Sequence, residues 1–186
     1  MRFSATKIAG VVVIEPELRE DQRGFFARTF CREEFRARGL VDQVEQSSLS
    51  FNHRRGTVRG LHYQIAPHIE TKVVSCVEGR IFDVAVDLRR ESSTFGHWFG
   101  IELSSRNRRL VYIAAGIAHG FQTLEDASTV SYQISSAFRP EAARGVRWND
   151  PKLAIDWPLS DDLTISDRDP VEAVSDMTSQ VIVPPA

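Results

Sequence analysis

The sequence predicts a mainly β protein, an antiparallel sandwich or barrel with one short helix. Three observations predict it. From Gln43 to Ile134, short apolar segments follow one another at close spacing, each closed by turn residues. The segment Arg80–Leu88 alternates along its length, with Phe82, Val84, Val86 and Leu88 on one side and Ile81, Asp83, Ala85 and Asp87 on the other. One segment, Thr29–Arg38, has helical spacing instead. Short strands with no helices between them close their apolar faces on one another as antiparallel sheets. The 186 residues suit a single domain over 1–186, with a β core over about 43–135 and an irregular segment over about 139–186.

The elements follow in chain order. Val11–Ile14 is a β-branched run. In Thr29–Arg38, Phe30, Glu34 and Phe35 fall on one helical face, and Gly39 stops the helix. Lys72–Val77, Arg80–Leu88, Trp98–Leu103, Leu110–Ile113, Gly120–Leu124 and Ser128–Ser135 read as strands. They are separated by Glu78-Gly79, Glu91-Ser92-Ser93, Ser105-Arg106-Asn107 and Glu125-Asp126. After Arg139-Pro140 the chain is punctuated by Pro140, Pro151, Pro158 and Pro170. Trp148 and Trp157 are expected to pack this part onto the body.

Composition narrows the function classes. Hydrophobic residues are 42% and charged residues 26%, as in ordinary soluble globular proteins. A formal net charge of −2 argues against a general nucleic-acid or acidic-membrane binder. Of the 23 basic residues, 20 are Arg and three are Lys, a skew toward the side chain that grips anions bidentately. Cys31 and Cys76 have no CxxC or zinc-like spacing, so the expected compartment is a reducing cytoplasm. No apolar run approaches 18 residues, and MRFSATKIAG has no signal-peptide core, which argues against a secreted or membrane-spanning protein.

A few residues could carry chemistry. Of the five histidines, His62 lies in RGLHYQ beside Arg59. His119 lies in AAGIAHGF, read as a small-residue turn in which Gly116 and Gly120 permit unusual backbone angles. His53, His68 and His97 read as surface residues. Lys72 shares a strand face with Val74 and Cys76 in TKVVSCV. It is either a snorkelling edge residue or a cation in a dry pocket. Tyr132 shares a face with Val130 and Ile134 and points inward, as a core phenol or as a proton donor. Where barrels of this type often hold a metal through an HxH pair, the sequence reads His62-Tyr63-Gln64, with the cation Lys72 nearby, so no metal site is expected. Arg23 and Arg59 each adjoin a glycine and could clamp a phosphate. Strict alternation sets Arg59 and His62 on opposite faces, so they share a pocket only if Gly60 marks a bulge or sharp twist.

The segments DQRGFFARTF, SFNHRRGTVRGLHYQ, TKVVSCVEGRIFDVAVDLRRESSTFGHWFGIELS, NRRLVYIAAGIAHGFQTLED, RGVRWNDPKLAIDWPL and ISDRD, in this order, resemble the dTDP-4-dehydrorhamnose 3,5-epimerase family from about Val11 to Asp169. The resemblance implies a cupin-like jelly roll, a homodimer, and a place in deoxysugar or surface-polysaccharide biosynthesis. It implies an epimerase that needs no metal or organic cofactor and acts at C3 and C5 of a nucleotide-linked 4-keto-6-deoxyhexose, dTDP-linked by the family's usage. The family's catalytic base matches His62, its lysine Lys72, its tyrosine acid Tyr132, and the aspartate orienting the histidine Asp169. Substrate-binding positions match Arg23, Phe26, Arg28, Gln46, Ser48, Arg59, His119, Phe138 and Arg168. The chain departs from the family at Arg28, where Glu is common, at Ala137-Phe138 in place of a tyrosine pair, at Ala143 for Glu and at Ala114 for Pro. Arg168 stands where Lys is frequent. Three other readings stay open on the sequence. An epimerase at a single centre of another nucleotide sugar would keep the same residues. A non-catalytic sugar-nucleotide-binding cupin would not need His62, Lys72, Tyr132 and Asp169 together. A metal-dependent cupin oxygenase lacks the HxH pair.

Overall fold

The computed structural model describes residues 1–166 and 173–174. Their elements are β1 (Arg2–Ala5), β2 (Val11–Glu15), β3 (Leu18–Asp21), β4 (Gly24–Ala27), α1 (Arg32–Arg36), β5 (Gln46–Asn52), β6 (Val58–Gln64), β7 (Lys72–Glu78), β8 (Arg80–Asp87), β9 (Trp98–Ser104), β10 (Leu110–Ile113), β11 (Ile117–Thr123), β12 (Ser128–Ile134) and β13 (Ala143–Gly145). A six-stranded sheet has the order β1-β2-β10-β7-β12-β5, and a five-stranded sheet the order β13-β6-β11-β8-β9. Every pairing within them is antiparallel. The sheets stay open, so the architecture is a sandwich rather than a closed barrel. None of the helices among the described residues is long and apolar enough to cross a membrane.

Three apolar layers hold the fold. The central layer joins the inner faces: Val74, Cys76, Val111, Ile113 and Val130 from one sheet meet Ile81, Ala85, Leu103, Ile117 and Phe121 from the other. Each fully buried Val, Ile or Phe contributes about 1.5–3 kcal/mol. The outer face of the six-stranded sheet is covered by α1, whose Phe35 packs against Ile14, Val73, Leu110 and Tyr112. The outer face of the five-stranded sheet takes Leu61, Val84 and Val86 against Val146 and Leu153 of the C-terminal segment. Trp157 packs edge-on against Phe82 and donates to the Trp148 carbonyl at 2.9 Å, so the two tryptophans lie on the body as expected. Both faces of β8 are therefore buried, one lined by Phe82, Val84 and Val86 and the other by Ile81 and Ala85 with the buried carboxylates Asp83 and Asp87.

The helix is shorter than its sequence pattern. Cys31 stands at the N-cap and makes no side-chain capping bond, so Thr29 and Phe30 stay outside. Phe30 still packs on Phe35 with ring centroids 4.9 Å apart. Gly39, at φ +67, ends the turn as predicted, and Leu40 N–H closes back on the Phe35 carbonyl. The sequence gives little sign of β1, β13 or the β3–β4 hairpin. In β3 the residues Leu18, Arg19, Glu20 and Asp21 are all exposed and show no apolar alternation.

Candidate active site

The candidate residues converge where the inner faces of the two sheets meet beside edge strand β5. The decisive feature is in β6. Across the β6–β11 pair, His62 lies opposite His119 and Arg59 opposite Phe121. Between these pairs Gly120 alone on β11 faces both Gly60 and Leu61 on β6, and the extra residue is a bulge. Gly60 there takes φ +114, an angle glycine adopts without a Cβ clash. A Cβ on Gly60 would lie 2.6 Å from Gly120 Cα, and one on Gly120 would lie 2.6 Å from the Arg59 carbonyl oxygen. Cross-strand partners share a face. Phe121 belongs to the central core, so Arg59 and His62 both turn inward.

His119 sits inside β11, not in a turn. Gly116 does take a positive φ, +80, but Gly120 serves the close approach to β6 instead. The His119 ring is buried, and its Nε2 lies 2.7 Å from Oδ2 of Asp83 on neighbouring β8. Tyr132 reaches it from the opposite sheet, edge-on at 5.9 Å between ring centroids. Burial pushes the Tyr132 phenol well above its ordinary value; the charge of Asp83 adds to this and that of Arg59 opposes it. Asp83 is missed by sequence reasoning, although an acid between Ile81 and Ala85 on a core-facing strand side signals a buried partner.

Lys72 starts β7 on the same inner face as Val74, Cys76 and, across the strand pair, Tyr132. It is buried, and its Nζ lies 2.7 Å from Glu70 Oε1 and 3.3 Å from the His62 carbonyl oxygen, which accepts its proton. On the open side, β5 presents Gln46 opposite Ile134 and Ser48 opposite Tyr132, both exposed. Gln46 Oε1 accepts from the Phe138 backbone N–H at 2.9 Å, which keeps the exposed Phe138 at the mouth. At the other end, Arg59 Nε donates to Asn52 Oδ1 at 2.8 Å, and Asn52 is itself held by the Ser50 and Ser128 carbonyls. Glu70, Gln64 and Asn52 thus join Asp83 as site-lining groups that the sequence motifs do not single out.

Other predicted residues lie elsewhere. Arg23 stands at the turn of the β3–β4 hairpin, a separate two-stranded sheet, and its exposed guanidinium is paired with Asp21 at 2.6 Å. That pairing holds the Asp21 carboxyl below its ordinary value. Phe26 is 68% exposed on β4. Arg28 follows, 3.9 Å from Glu34, and lines a small cleft with Met1, Glu17, Arg19 and Phe26. Within one chain these three do not join the His62 cluster, because the hairpin pairs with neither main sheet. Arg168 and Asp169 lie outside the described residues. Among the described residues, no group of three or more His, Cys, Asp or Glu side chains is placed to hold a metal ion.

An imidazole, a phenol and an ammonium around one cleft form a proton-transfer set, with a guanidinium at the far end for an anion. The relatives agree with that chemistry. The family model for dTDP-4-dehydrorhamnose 3,5-epimerase matches residues 5–175. The dTDP-4-dehydrorhamnose 3,5-epimerase of Methanothermobacter thermautotrophicus is 44% identical over 170 residues, covering 90% of this chain and 91% of its own. The crystal structure of the enzyme of that name from Elizabethkingia anophelis superposes with a TM-score of 0.92 at 36% identity, over 96% of this chain and 99% of that one. A dTDP-6-deoxy-D-glucose-3,5-epimerase from Legionella pneumophila, solved in complex with dTDP-4-keto-L-rhamnose, matches with a TM-score of 0.88 at 35% identity, over 95% of this chain and 94% of that one. With fold and sequence in agreement over nearly the whole length, the chain belongs to the dTDP-4-dehydrorhamnose 3,5-epimerase family.

Proposed function

We propose that this chain inverts C3 and C5 of dTDP-4-dehydro-6-deoxyglucose, giving dTDP-4-dehydrorhamnose, with His62 as base, Tyr132 as acid and Lys72 as the cation at the C4 oxygen. A C–H beside the C4 ketone is acidic only because the resulting enolate places charge on oxygen. His62 removes that proton from one face of the sugar; imidazole titrates near neutral pH and suits the task. The Lys72 ammonium meets the developing charge. Tyr132 returns a proton on the opposite face, and its raised pKa keeps the phenol protonated for that purpose. Asp169 is assigned to orient His62. Arg59, with Nε held by Asn52, and His119, with Nε2 held by Asp83, are assigned to the diphosphate. Gln46, Ser48, Phe138 and Arg168 are assigned to the nucleotide end. No metal or organic cofactor enters these steps. The observation that carries the reading is the Gly60 bulge, which puts Arg59 and His62 on one face with Tyr132 and Lys72 opposite.

The working unit proposed is a homodimer in the cytoplasm. The exposed Leu49 and Phe51 of edge strand β5, with Phe25 and Phe26 of the hairpin, are apolar surface that a second copy would cover. The roles of Arg23, Phe26 and Arg28 depend on that pairing, which would carry the hairpin to a site. Two free cysteines suit a reducing compartment. The test is deuterium incorporation from solvent into dTDP-4-dehydro-6-deoxyglucose, followed by NMR. Label at both C3 and C5 supports the double epimerase, label at one carbon restricts it to a single centre, and no label refutes catalysis on this substrate.

A further inference from the structure

We propose that Glu70 is a positioning residue for this reaction: it holds the Lys72 ammonium in the site and ties it to the 137–139 segment at the mouth. The inference rests on the role proposed above for Lys72. Glu70 Oε1 lies 2.7 Å from Lys72 Nζ, with the two side chains only 9% and 10% exposed. A pair so buried recovers its desolvation cost only through further hydrogen bonds. Lys72 has one in the His62 carbonyl, and Glu70 has one from Gln64 Nε2, which donates to Oε2 at 3.1 Å.

The direction of the Gln64 amide is set by its other partners. The Arg139 backbone N–H, which can only donate, meets Gln64 Oε1 at 2.6 Å. The carbonyls of His68 and Ala137, which can only accept, meet Nε2 at 3.1 and 3.3 Å. The amide nitrogen therefore faces residue 70, while an ammonium donates to it from the other side. Position 70 accepts from the ammonium on one terminal atom and, on the other, shares the two Nε2 hydrogens of Gln64 with the His68 and Ala137 carbonyls. A carboxylate does so and an amide cannot. The same bonds run on through Gln64 to Ala137 and Arg139, which flank Phe138, and Gln46 holds Phe138 by its N–H. The cation at the reacting end and the segment carrying Phe138 thus share one chain of hydrogen bonds.

The experiment is a double-mutant cycle of Glu70→Gln and Lys72→Met, reading kcat, KM and solvent exchange per folded molecule. Glu70→Gln is expected to lower kcat about tenfold or more, since misplacing a reacting group by about 1 Å costs up to about 100-fold. KM should change by less than about threefold. Because Glu70 acts through Lys72, the double variant should be no slower than Lys72→Met alone. An unchanged kcat in Glu70→Gln, or a loss of the same factor when Lys72 is already absent, overturns the proposal. A Lys72→Met variant as fast as wild type instead overturns the role given to Lys72, and the Glu70 proposal falls with it. If Glu70→Gln loses its melting transition, Gln64→Met probes the same connection from its other end. It should lower kcat in the wild-type background and not in Lys72→Met; an unchanged kcat in the wild-type background overturns the proposal.

Discussion

Two aspartates on β8, Asp83 and Asp87, share one face of the strand and are both buried, yet they are bonded in opposite ways. Asp87 is satisfied by its own neighbourhood. Its Oδ1 accepts from Arg89 N and Nε at 3.0 and 2.8 Å, and its Oδ2 from Arg89 Nη2, Ser92 Oγ and Thr94 Oγ1 at 2.8, 2.6 and 2.7 Å. Asp83 is met by His119, 36 residues on, and lies within electrostatic reach of Tyr132 from the facing sheet. A carboxylate fully occupied by a local loop fixes that loop and has nothing left for a ligand. A carboxylate met by an imidazole across a strand pair sets the orientation of a ring that can act. The same residue type at the same burial therefore serves the loop at one position and the site at the other.

That contrast can be broken by substitution. The largest effect on turnover is expected from His62→Ala on the Asp83 side. Loss of the base should lower kcat by about 10²- to 10⁴-fold. Its melting temperature should stay near wild type, because the side chain is exposed; steady-state kinetics beside a thermal melt checks both. Asp83→Asn comes next. Loss of the charge facing His119 should reduce kcat/KM about tenfold or more and cost about 1–3 kcal/mol of stability. A variant with lower stability and wild-type kcat/KM would place Asp83 with Asp87 and erase the distinction.

Asp87→Asn should do the reverse, leaving kcat per folded molecule unchanged while costing about 2–4 kcal/mol in urea unfolding at neutral pH. The pH dependence sharpens this. Burial raises the Asp87 pKa, but the bonds from Arg89, Ser92 and Thr94 outweigh it and hold the carboxyl below the ordinary aspartate value. A depressed folded pKa means the stabilisation is present above the unfolded value and lost as pH falls through the folded one. The stability gap between wild type and Asp87→Asn should therefore be full at pH 7 and shrink below about pH 4. A gap that does not change with pH would mean the ionised carboxylate is not what closes the loop.

Much of this was legible in the sequence, in proportion to how local the cause is. Tyr132 reads as inward because a strand's period of two puts it on the face of Val130, which is in the core; for Lys72 the same rule leaves an edge residue and a buried cation both open, and burial of Val74 and Cys76 on its face decides for the second. Arg59 and His62 could not be placed together by the same rule, because the bulge at Gly60 depends on how closely Gly120 of another strand approaches. His119 reads from the sequence as a turn residue and lies inside β11 for the same reason: the sequence marks a glycine but not which of its two uses applies. The β3–β4 hairpin left no trace because its first strand buries nothing. Glu70, Gln64 and Asn52 lie within seven residues of the groups they hold, but no strand or helix period links them, and their long-range bonds to Ala137, Arg139 and Ser128 appear only in the fold.

The most direct test of the account is whether proton removal and proton return belong to different residues. Solvent deuterium incorporation and product stereochemistry should be followed together by NMR, in wild type and in Tyr132→Phe. With Tyr132 as the acid on the face opposite His62, Tyr132→Phe should still exchange the sugar C–H while forming far less inverted product. Loss of exchange and inversion in equal proportion would contradict the two-face assignment and return Tyr132 to a packing role.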